Sequence, residues 1–445
     1  MSLNSLTKLL VIILLPLLFT AVSCNKPTEP PPPENYALEI IAADVSCTEV
    51  WIDVKTPNTL LPQIFTLTEN GEEKGSVTID KADTTIVIEN LLPKKSYKYQ
   101  LKNNEHKSNE TEITTLDTTS HNFTWQTFEF GQHSSSVLYD VAIIDENNIW
   151  AVGEIYMNDS NGNPDPTFYN AVHWNGTEWE LKKIFYKGGI WSIRTIFAFN
   201  DNDIWFSGYM RYLNGQFIEL AIPNLLMGWQ INKLWGTSSD DLYAVGNGGN
   251  IAHWNGNSWK KIENLVGTSG TDVDLLDVWG SPDGKTVWVC GENLQKTNLL
   301  KIKNNQTEIV FEGSYPMQTV KNRFSDGLLS LWTNSSNFIY VLSPYNLYRC
   351  KTNTTGEGEE IYPYNDYFRG AYIRIRGTEI NNLFTTGNKS TITHYNGVSW
   401  KIYDELISEY QYLVGLAVKE NLIVSVGEKF EGIFDYKAVI IVGKK

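Results

Sequence analysis

A short pattern recurs seven times between residues 122 and 445, and it constrains the fold of this 445-residue chain more than any other feature. Each copy begins with an apolar run that ends in glycine or another small or polar residue. A second apolar run follows, in several copies with aromatic residues on either side of a turn. The first runs are NIWAVGE, DIWFSGY, DLYAVGN, TVWVCGE, FIYVLSP, NLFTTGN and LIVSVGE, starting at residues 148, 203, 241, 286, 338, 382 and 422. Such periodicity predicts one structural unit per copy, stacked against its neighbours.

One copy predicts a four-stranded antiparallel sheet. NKLWGT (232–237) and DLYAVG (241–246) give two strands, and NIAHW (250–254) and NSWKKI (257–262) give the other two. Asn255-Gly256 predicts a type I′ hairpin, in which both turn residues have positive φ. The same Asn-Gly pair recurs at 175–176, 214–215 and 396–397. The strands are apolar on both faces, which indicates that each sheet is covered on both sides by its neighbours.

The spacing and the strand pattern predict an all-β fold in which residues 122–445 form a seven-bladed β-propeller. FTWQTFEF (123–130) resembles the outer strand of a copy, and the C-terminal AVIIVG (438–443) resembles a third strand. We therefore expect strand 123–130 to complete the last blade and to close the ring, which removes exposed sheet edges.

The repeat is similar to those of bacterial seven-bladed propeller lipoproteins, which are distantly related to Asp-box and photosystem II assembly-factor-like propellers. SPDGKTVW (281–288) approaches the Asp-box pattern once, with its glycine displaced by one position. In such families sialidase activity requires an arginine triad and a Tyr/Glu pair, and the sequence alone identifies neither.

The N-terminal segment reads as a targeting signal. Lys8 precedes the apolar run 9–19, which is too short to span a bilayer. The tetrapeptide AVSC (21–24) resembles the lipobox of bacterial lipoproteins, which implies an acylated thiol at Cys24 and signal residues 1–24. Residues 25–35 are a proline-rich tether. The resemblance implies a lipid anchor as the only membrane attachment and an outer-membrane location.

Residues 36–117 predict about seven short strands separated by turn residues. Leu91, Pro93 and Tyr97 have the spacing of the tyrosine corner of fibronectin type III domains, with Trp51 in an early strand. The segment therefore resembles a fibronectin type III-like, immunoglobulin-like sandwich.

The reactive-looking residues of the repeat are assigned to packing. His173, His253 and His394 occupy equivalent positions in different copies, so they cannot converge on one metal ion. Cys47, Cys290 and Cys350 lack CxxC spacing and are expected to be apolar fillers within strands. The loop 155–170 carries alternating Asp and Asn residues; a solvated loop is favoured over a calcium site, because the glycine is misplaced and the bidentate Glu is missing. We expect no cofactor and no metal.

Loops between the blades contribute the candidate ligand-binding residues. An aromatic and cationic platform could bind a sugar or a peptide, although packing between blades explains the same residue types. These candidates are Trp191, Arg194, Trp229, Tyr364, Tyr367 and Arg369.

The sequence favours a non-catalytic envelope protein that binds a glycan or a protein partner. A formal net charge of −15 argues against nucleic acid, which requires clustered Lys and Arg. No catalytic residues are assigned, because neither a nucleophile with its base nor a pair of carboxylates can be placed. A carbohydrate-active enzyme (hydrolase or lyase) and a structural subunit of an envelope complex are the alternatives.

Overall fold

The computed structural model describes residues 38–220, 230–262, 270–315, 324, 326–352, 358–362, 371–432 and 435–445. The described part of the chain is built from β-strands, with single 3-10 turns at Asn58–Leu60, Asn247–Gly249 and Asp404–Leu406. No helix in this part of the chain is long and apolar enough to cross a membrane. The predicted all-β class is confirmed.

The N-terminal unit consists of two sheets that share one core. The strands are β1 (Glu39–Val45), β2 (Val50–Lys55), β3 (Gln63–Glu69), β4 (Glu72–Ile79), β5 (Asp83–Ile88), β6 (Ser96–Lys102) and β7 (Thr111–Thr114). One sheet has the order β1-β2-β5 and the other β4-β3-β6-β7. Alternate residues of each strand point into the core, for example Val50, Ile52 and Val54 of β2 opposite Phe65 of β3. The backbone N–H of Leu92 donates to the Tyr97 hydroxyl at 2.9 Å, which fixes the turn before β6.

Trp51 lies in the early strand β2, as predicted, but its side chain does not belong to this core. Strand alternation turns Trp51 to the opposite face of β2 from Val50 and Ile52. There its ring lies 5.3 Å from that of Phe338, in the C-terminal part of the chain. Trp51 therefore joins the two parts of the molecule.

Seven four-stranded antiparallel sheets follow within the described residues, and each is numbered here by its order in the chain. Sheet 1 comprises β9 (Val137–Asp145), β10 (Asn148–Ile155), β11 (Tyr169–Trp174) and β12 (Trp179–Lys182). Sheet 2 comprises β15 (Ile196–Asn200), β16 (Asp203–Phe206), β17 (Met210–Leu213) and β18 (Gln216–Glu219). Sheet 3 comprises β19 (Ile231–Ser238), β20 (Asp241–Gly246), β21 (Ile251–Trp254) and β22 (Trp259–Ile262). A hairpin of β13 (Phe185–Tyr186) and β14 (Gly189–Ile190) connects sheets 1 and 2.

Sheets 4 to 7 continue the same arrangement. Sheet 4 comprises β23 (Asp274–Gly280), β24 (Val287–Glu292), β25 (Lys296–Lys303) and β26 (Gln306–Ser314), and sheet 5 comprises β27 (Ser330–Trp332), β28 (Phe338–Leu342), β29 (Leu347–Lys351) and β30 (Glu359–Tyr362). Sheet 6 comprises β31 (Tyr372–Glu379), β32 (Asn382–Gly387), β33 (Ile392–Tyr395) and β34 (Trp400–Ile402). Sheet 7 comprises β35 (Gln411–Lys419), β36 (Leu422–Gly432), β37 (Asp435–Lys444) and β8 (Thr124–Phe130).

The first strands of the sheets lie around a common axis. Each contacts the first strands of the sheets before and after it, and β35 of sheet 7 contacts β9 of sheet 1. The fourth strand of sheet 7 is β8, which lies before sheet 1 in the chain and pairs with β37 so that Trp125 is opposite Gly443 and Phe128 is opposite Ile440. The two ends of this region are thus held in one sheet by main-chain pairing.

The Asn-Gly turns differ from the sequence prediction at three of the four positions. Asn214 and Gly215 both have positive φ (50° and 86°), as a two-residue type I′ hairpin requires. At 255–256 the loop from Trp254 to Trp259 is longer, and only Gly256 has positive φ. The Asn255 side chain accepts the backbone N–H groups of residues 257 and 258 at 3.2 and 3.0 Å. The loops at 175–176 and 396–397 follow the same pattern. Asn is therefore selected there for its side-chain acceptor.

Candidate functional site

One cross-strand pair recurs in six of the described sheets and accounts for the histidines of the repeat. An aromatic residue on the second strand faces a cationic or imidazole side chain on the third. The pairs are Trp150–His173, Trp205–Arg211, Tyr243–His253, Trp288–Lys301, Tyr340–Arg349 and Phe384–His394.

The three histidines also share their hydrogen bonds. The His173 ring stacks on Trp150 at 4.2 Å, and its Nε2 lies 2.9 Å from Oδ1 of Asn148. Nε2 of His253 lies 2.7 Å from a carboxylate oxygen of Asp241, and Nε2 of His394 lies 3.0 Å from the Asn382 amide oxygen. Each imidazole is therefore used in packing, as the sequence predicted.

His394 also contacts a second histidine, and the burial of this pair makes the stability of the folded protein depend on pH. Its Nδ1 lies 2.8 Å from Nδ1 of His121, in the segment between the two parts of the molecule. Burial lowers the pKa of His394 to about 3, and the charges of His121, Lys401 and Lys445 add to this effect. Burial also lowers the pKa of His121.

We expect the wild-type protein to lose stability as the pH falls from 7.5 to 5. In the unfolded chain this imidazole binds a proton near pH 6.5, whereas in the folded protein His394 stays neutral until about pH 3. Stability is therefore lost progressively as the pH falls through the range between these two pKa values. At pH 5 one such group has lowered the free energy of unfolding by about 2 kcal/mol relative to neutral pH. Urea unfolding at both pH values measures the loss, and in His394→Gln it should be clearly smaller. An equal pH dependence in this variant would contradict the assignment.

The three cysteines outside the signal segment are free thiols buried in the structure. Cys290 and Cys350 lie in strands β24 and β29, as expected. Cys47 does not lie in a strand; it occupies the turn between β1 and β2, where its thiol donates to the Asp117 carbonyl oxygen at 3.2 Å. Burial raises the pKa of Cys47 to about 11, so the thiol is protonated and unreactive at neutral pH.

Two buried ion pairs lie near the axis of the ring, between first strands. Nζ of Lys233 in sheet 3 lies 2.6 Å from Oδ1 of Asp140 in sheet 1. Arg376 in sheet 6 binds Asp277 in sheet 4 through both carboxylate oxygens, at 2.8 and 2.9 Å. All four side chains are buried.

The second oxygen of each Asp joins its own sheet to the next sheet. Oδ2 of Asp140 accepts the Thr195 hydroxyl and the N–H of residue 196, at 2.9 and 3.1 Å. Oδ2 of Asp277 accepts the Ser330 hydroxyl and the N–H of residue 331, at 2.5 and 3.0 Å. These carboxylates therefore serve the architecture, because each of their oxygens accepts at least one hydrogen bond from a neighbouring strand. These ion pairs were not predicted above, although charges within the apolar segments LYDVAI and YIRIRG are a sequence signal for them.

The polar cluster that remains lies at the face of the ring where the first strands begin, which we call the upper face. There the Tyr139 and Tyr156 hydroxyls donate to the two carboxylate oxygens of Glu154, at 3.3 and 3.0 Å. The Arg194 guanidinium stacks on the Tyr139 ring at 4.1 Å. Glu428, in the second strand of sheet 7 opposite the start of the first strand, also acts electrostatically on Tyr139. We refer to these five residues as the upper-face cluster.

The chemistry of the cluster suits binding. Burial raises the pKa of Tyr139 to about 12, and Glu154 adds to this effect. A phenol so strongly protonated is a poor nucleophile. Burial also raises the pKa of Glu428. The cluster offers a stacked cation, two hydroxyls and two carboxylates as hydrogen-bonding groups. Glutamate opposite the start of the first strand recurs at 154, 292 and 428, and this recurrence is a signal in the sequence that was not used above.

The structure separates the described candidates of the sequence analysis. Arg194 belongs to the upper-face cluster. Trp191 is 60% exposed and covers the β13–β14 hairpin, where its indole N–H donates to the Tyr186 carbonyl oxygen at 3.3 Å. The remaining candidates lie outside the described residues: Cys24, Trp229, Tyr364, Tyr367 and Arg369.

The loop 155–170 uses its carboxylates internally. Oδ1 of Asp159 accepts the N–H groups of Asn161 and Asn163, at 2.8 and 2.9 Å. Asp165 accepts two hydrogen bonds from Thr167 and one from Lys183, which lower its pKa to about 2. Within the described residues, no three His, Cys, Asp or Glu side chains come together as metal ligands.

Comparisons with known proteins agree with this architecture. No protein-family model matches the chain, and no curated protein sequence matches it. Among solved structures, YCF48 bound to D1 peptide is similar with a TM-score of 0.52 and 12% identity, covering 72% of this chain and 95% of that chain. YCF48 from Cyanidioschyzon merolae has a TM-score of 0.48 at 12% identity, covering 72% and 98%. The WD40 β-propeller domain of Doa1 has a TM-score of 0.48 at 10% identity, covering 73% and 98%. The C-terminal part of this chain therefore has a β-propeller fold.

Proposed function

We propose that this chain is a non-catalytic binding protein of the bacterial cell envelope. In this proposal Cys24 carries the lipid anchor, residues 25–35 hold the protein away from an outer membrane, and a fibronectin type III-like module precedes a seven-bladed propeller. The hydrogen bond of Tyr97 to the backbone of residue 92 supports the assignment of the module. The pairing of β8 with β37 supports the assignment of the propeller.

One observation carries the binding role. The buried carboxylates on the first strands form ion pairs and contacts between sheets, whereas the upper-face cluster presents polar and aromatic groups without an activated nucleophile. Propellers commonly bind partners over the axis, which is an argument from fold analogy. The proposed ligand is a protein segment or a glycan. YCF48 was solved with a D1 peptide, which supports the protein segment.

Binding of the full chain in detergent micelles to peptide and glycan arrays tests the proposal. We expect Arg194→Ala to weaken binding of the best array ligand about tenfold, because a cation–π partner and a hydrogen-bond donor are lost. Lys260→Ala, on the exposed side of the fourth strand of sheet 3, is the control and should bind normally. A reducing-sugar assay on bound glycans accompanies the arrays. Sugar release would favour the carbohydrate-active enzyme, and equal binding by both variants would remove the upper-face cluster from the site.

A further inference from the structure

A groove between sheets 5 and 6 is occupied by the N-terminal unit. Trp51 is only 5% exposed there; its ring lies on Phe338, and the Arg349 guanidinium lies 5.3 Å above it. Glu49, two residues earlier, forms two hydrogen bonds with Arg349 at 2.5 and 3.0 Å. The side of sheet 6 is formed by the cross-strand pair Tyr395–Trp400. This groove, called here the occupied groove, therefore binds an aromatic side chain together with a neighbouring carboxylate.

The repeat places a groove of similar construction between sheets 1 and 2, in which Asn148 has the position of Phe338. Its wall in sheet 1 carries Trp150 opposite His173, at the positions that Tyr340 and Arg349 hold in sheet 5. Its wall in sheet 2 carries the cross-strand pair Tyr212–Phe217, at the positions of Tyr395 and Trp400 in sheet 6. We call this second site the open groove; its volume is about 400 Å³.

Phe217 is more exposed than the equivalent aromatic residues of sheets 3 and 6. The equivalent aromatic residue is buried in sheet 3 (Trp259) and half-buried in sheet 6 (Trp400), whereas Phe217 is 48% exposed. The ring of Phe217 packs on Tyr212 and Phe206, at 5.1 and 5.8 Å. A half-exposed aromatic ring beside a cavity gains free energy when another apolar group covers it.

A cation lies beside the open groove, at a different position from Arg349, because His173 holds the position of Arg349. Glu180 is opposite His173, as Glu359 is opposite Arg349 in the occupied groove. Nζ of Lys182 lies 2.5 Å from Glu180, and both side chains are more than one-third exposed. An incoming carboxylate can therefore reach a cation beside the aromatic floor, as Glu49 reaches Arg349.

We propose that the open groove is a docking site for a protein partner that inserts an aromatic side chain with an acidic residue beside it, in the manner of Trp51 and Glu49. This is a second binding surface, formed by the outer strands of sheets 1 and 2, and it is independent of the upper-face cluster.

A peptide with the chain's own residues 48–53 (TEVWID), carrying 5-fluorotryptophan, is the probe. Ligand-observed ¹⁹F NMR with the full chain should give a dissociation constant in the millimolar range. Phe217→Ser should weaken binding at least about fivefold, because the aromatic wall is lost. Lys182→Glu should also weaken it, through repulsion of the acidic residue. Tyr410→Ser, which removes another highly exposed aromatic ring, should bind like wild type.

Three results would overturn the proposal. Equal binding by wild type and Phe217→Ser would place the peptide elsewhere, and absence of wild-type binding at several millimolar would remove the site. Binding of methyl glucoside that depends on Phe217, without peptide binding, would make the groove a sugar site. Melting curves of the three variants confirm that each remains folded. None of these outcomes depends on Arg194. The open-groove proposal can therefore be wrong while the binding role of the upper-face cluster is correct, and the reverse also holds.

Discussion

Replacing Asp277 by Asn is expected to lower the free energy of unfolding by about 3–5 kcal/mol, because it leaves the Arg376 guanidinium buried without its counter-ion. Burial opposes ionisation of Asp277, but the charge and hydrogen bonds of Arg376 outweigh it, so the pKa lies well below its usual value. The substitution also turns an acceptor oxygen into a donor facing Arg376, Ser330 or the N–H of residue 331. Urea unfolding at pH 7.5 measures the loss.

Asp283→Asn is the matched control for this experiment. Asp283 lies in the turn between β23 and β24, pairs with Lys285 at 3.2 Å, and is 43% exposed. A surface pair of this kind contributes about 0–1 kcal/mol. The double variant Asp277→Asn with Arg376→Gln should recover part of the loss, since the uncompensated charge is gone. A loss below about 1 kcal/mol for Asp277→Asn would show that the pair does not stabilise the ring.

Replacing Trp51 by Ala is expected to release the N-terminal unit from the propeller while both parts remain folded. The substitution leaves the core of the two N-terminal sheets intact, because Trp51 is on the opposite face of β2. Truncation of a buried Trp costs about 3–5 kcal/mol. The remaining contacts include Glu49–Arg349, Asp44–Ser335 and the amide of Asn337 with the carbonyl oxygen of residue 43.

Limited proteolysis of the segment 117–122 measures this release. The segment is held by Thr119, whose hydroxyl donates to the Asn381 carbonyl oxygen, and by the Asn381 amide, which donates to the Asp117 carbonyl oxygen. A loss of about 3 kcal/mol increases the population of the released form about a hundredfold, and cleavage should accelerate accordingly. Ile64→Ala, on the exposed surface of β3, is the control. An unchanged cleavage rate in Trp51→Ala would show that other contacts hold the two parts together.

The sequence predicted the fold class well because its signal is local and repeated. Alternating apolar residues and regular turns identify the strands in each copy, and seven copies reinforce one another. The packing role of the histidines also followed from the repeat, since equivalent positions in a ring lie far apart. The Asn-Gly turns were less predictable, because the same dipeptide serves as a type I′ hairpin at 214–215 and as a side-chain acceptor in the longer turns.

The candidate site was only partly predictable. Arg194 was identified from its loop, but its stacking on Tyr139 joins residues 55 positions apart in the chain. Trp191 was identified with it, yet it contacts its own hairpin. The role of an aromatic residue depends on which face of its strand is covered, and the neighbouring sheet decides that.

The sequence by itself determined that this chain forms a β-propeller, because strand periodicity and turn residues act within about ten residues of one another. Only the tertiary structure decided which charges are buried partners across the ring, which groove Trp51 occupies and which equivalent groove stays open. These depend on side chains brought together from separate sheets, and their energies come from desolvation and close packing that no single segment contains.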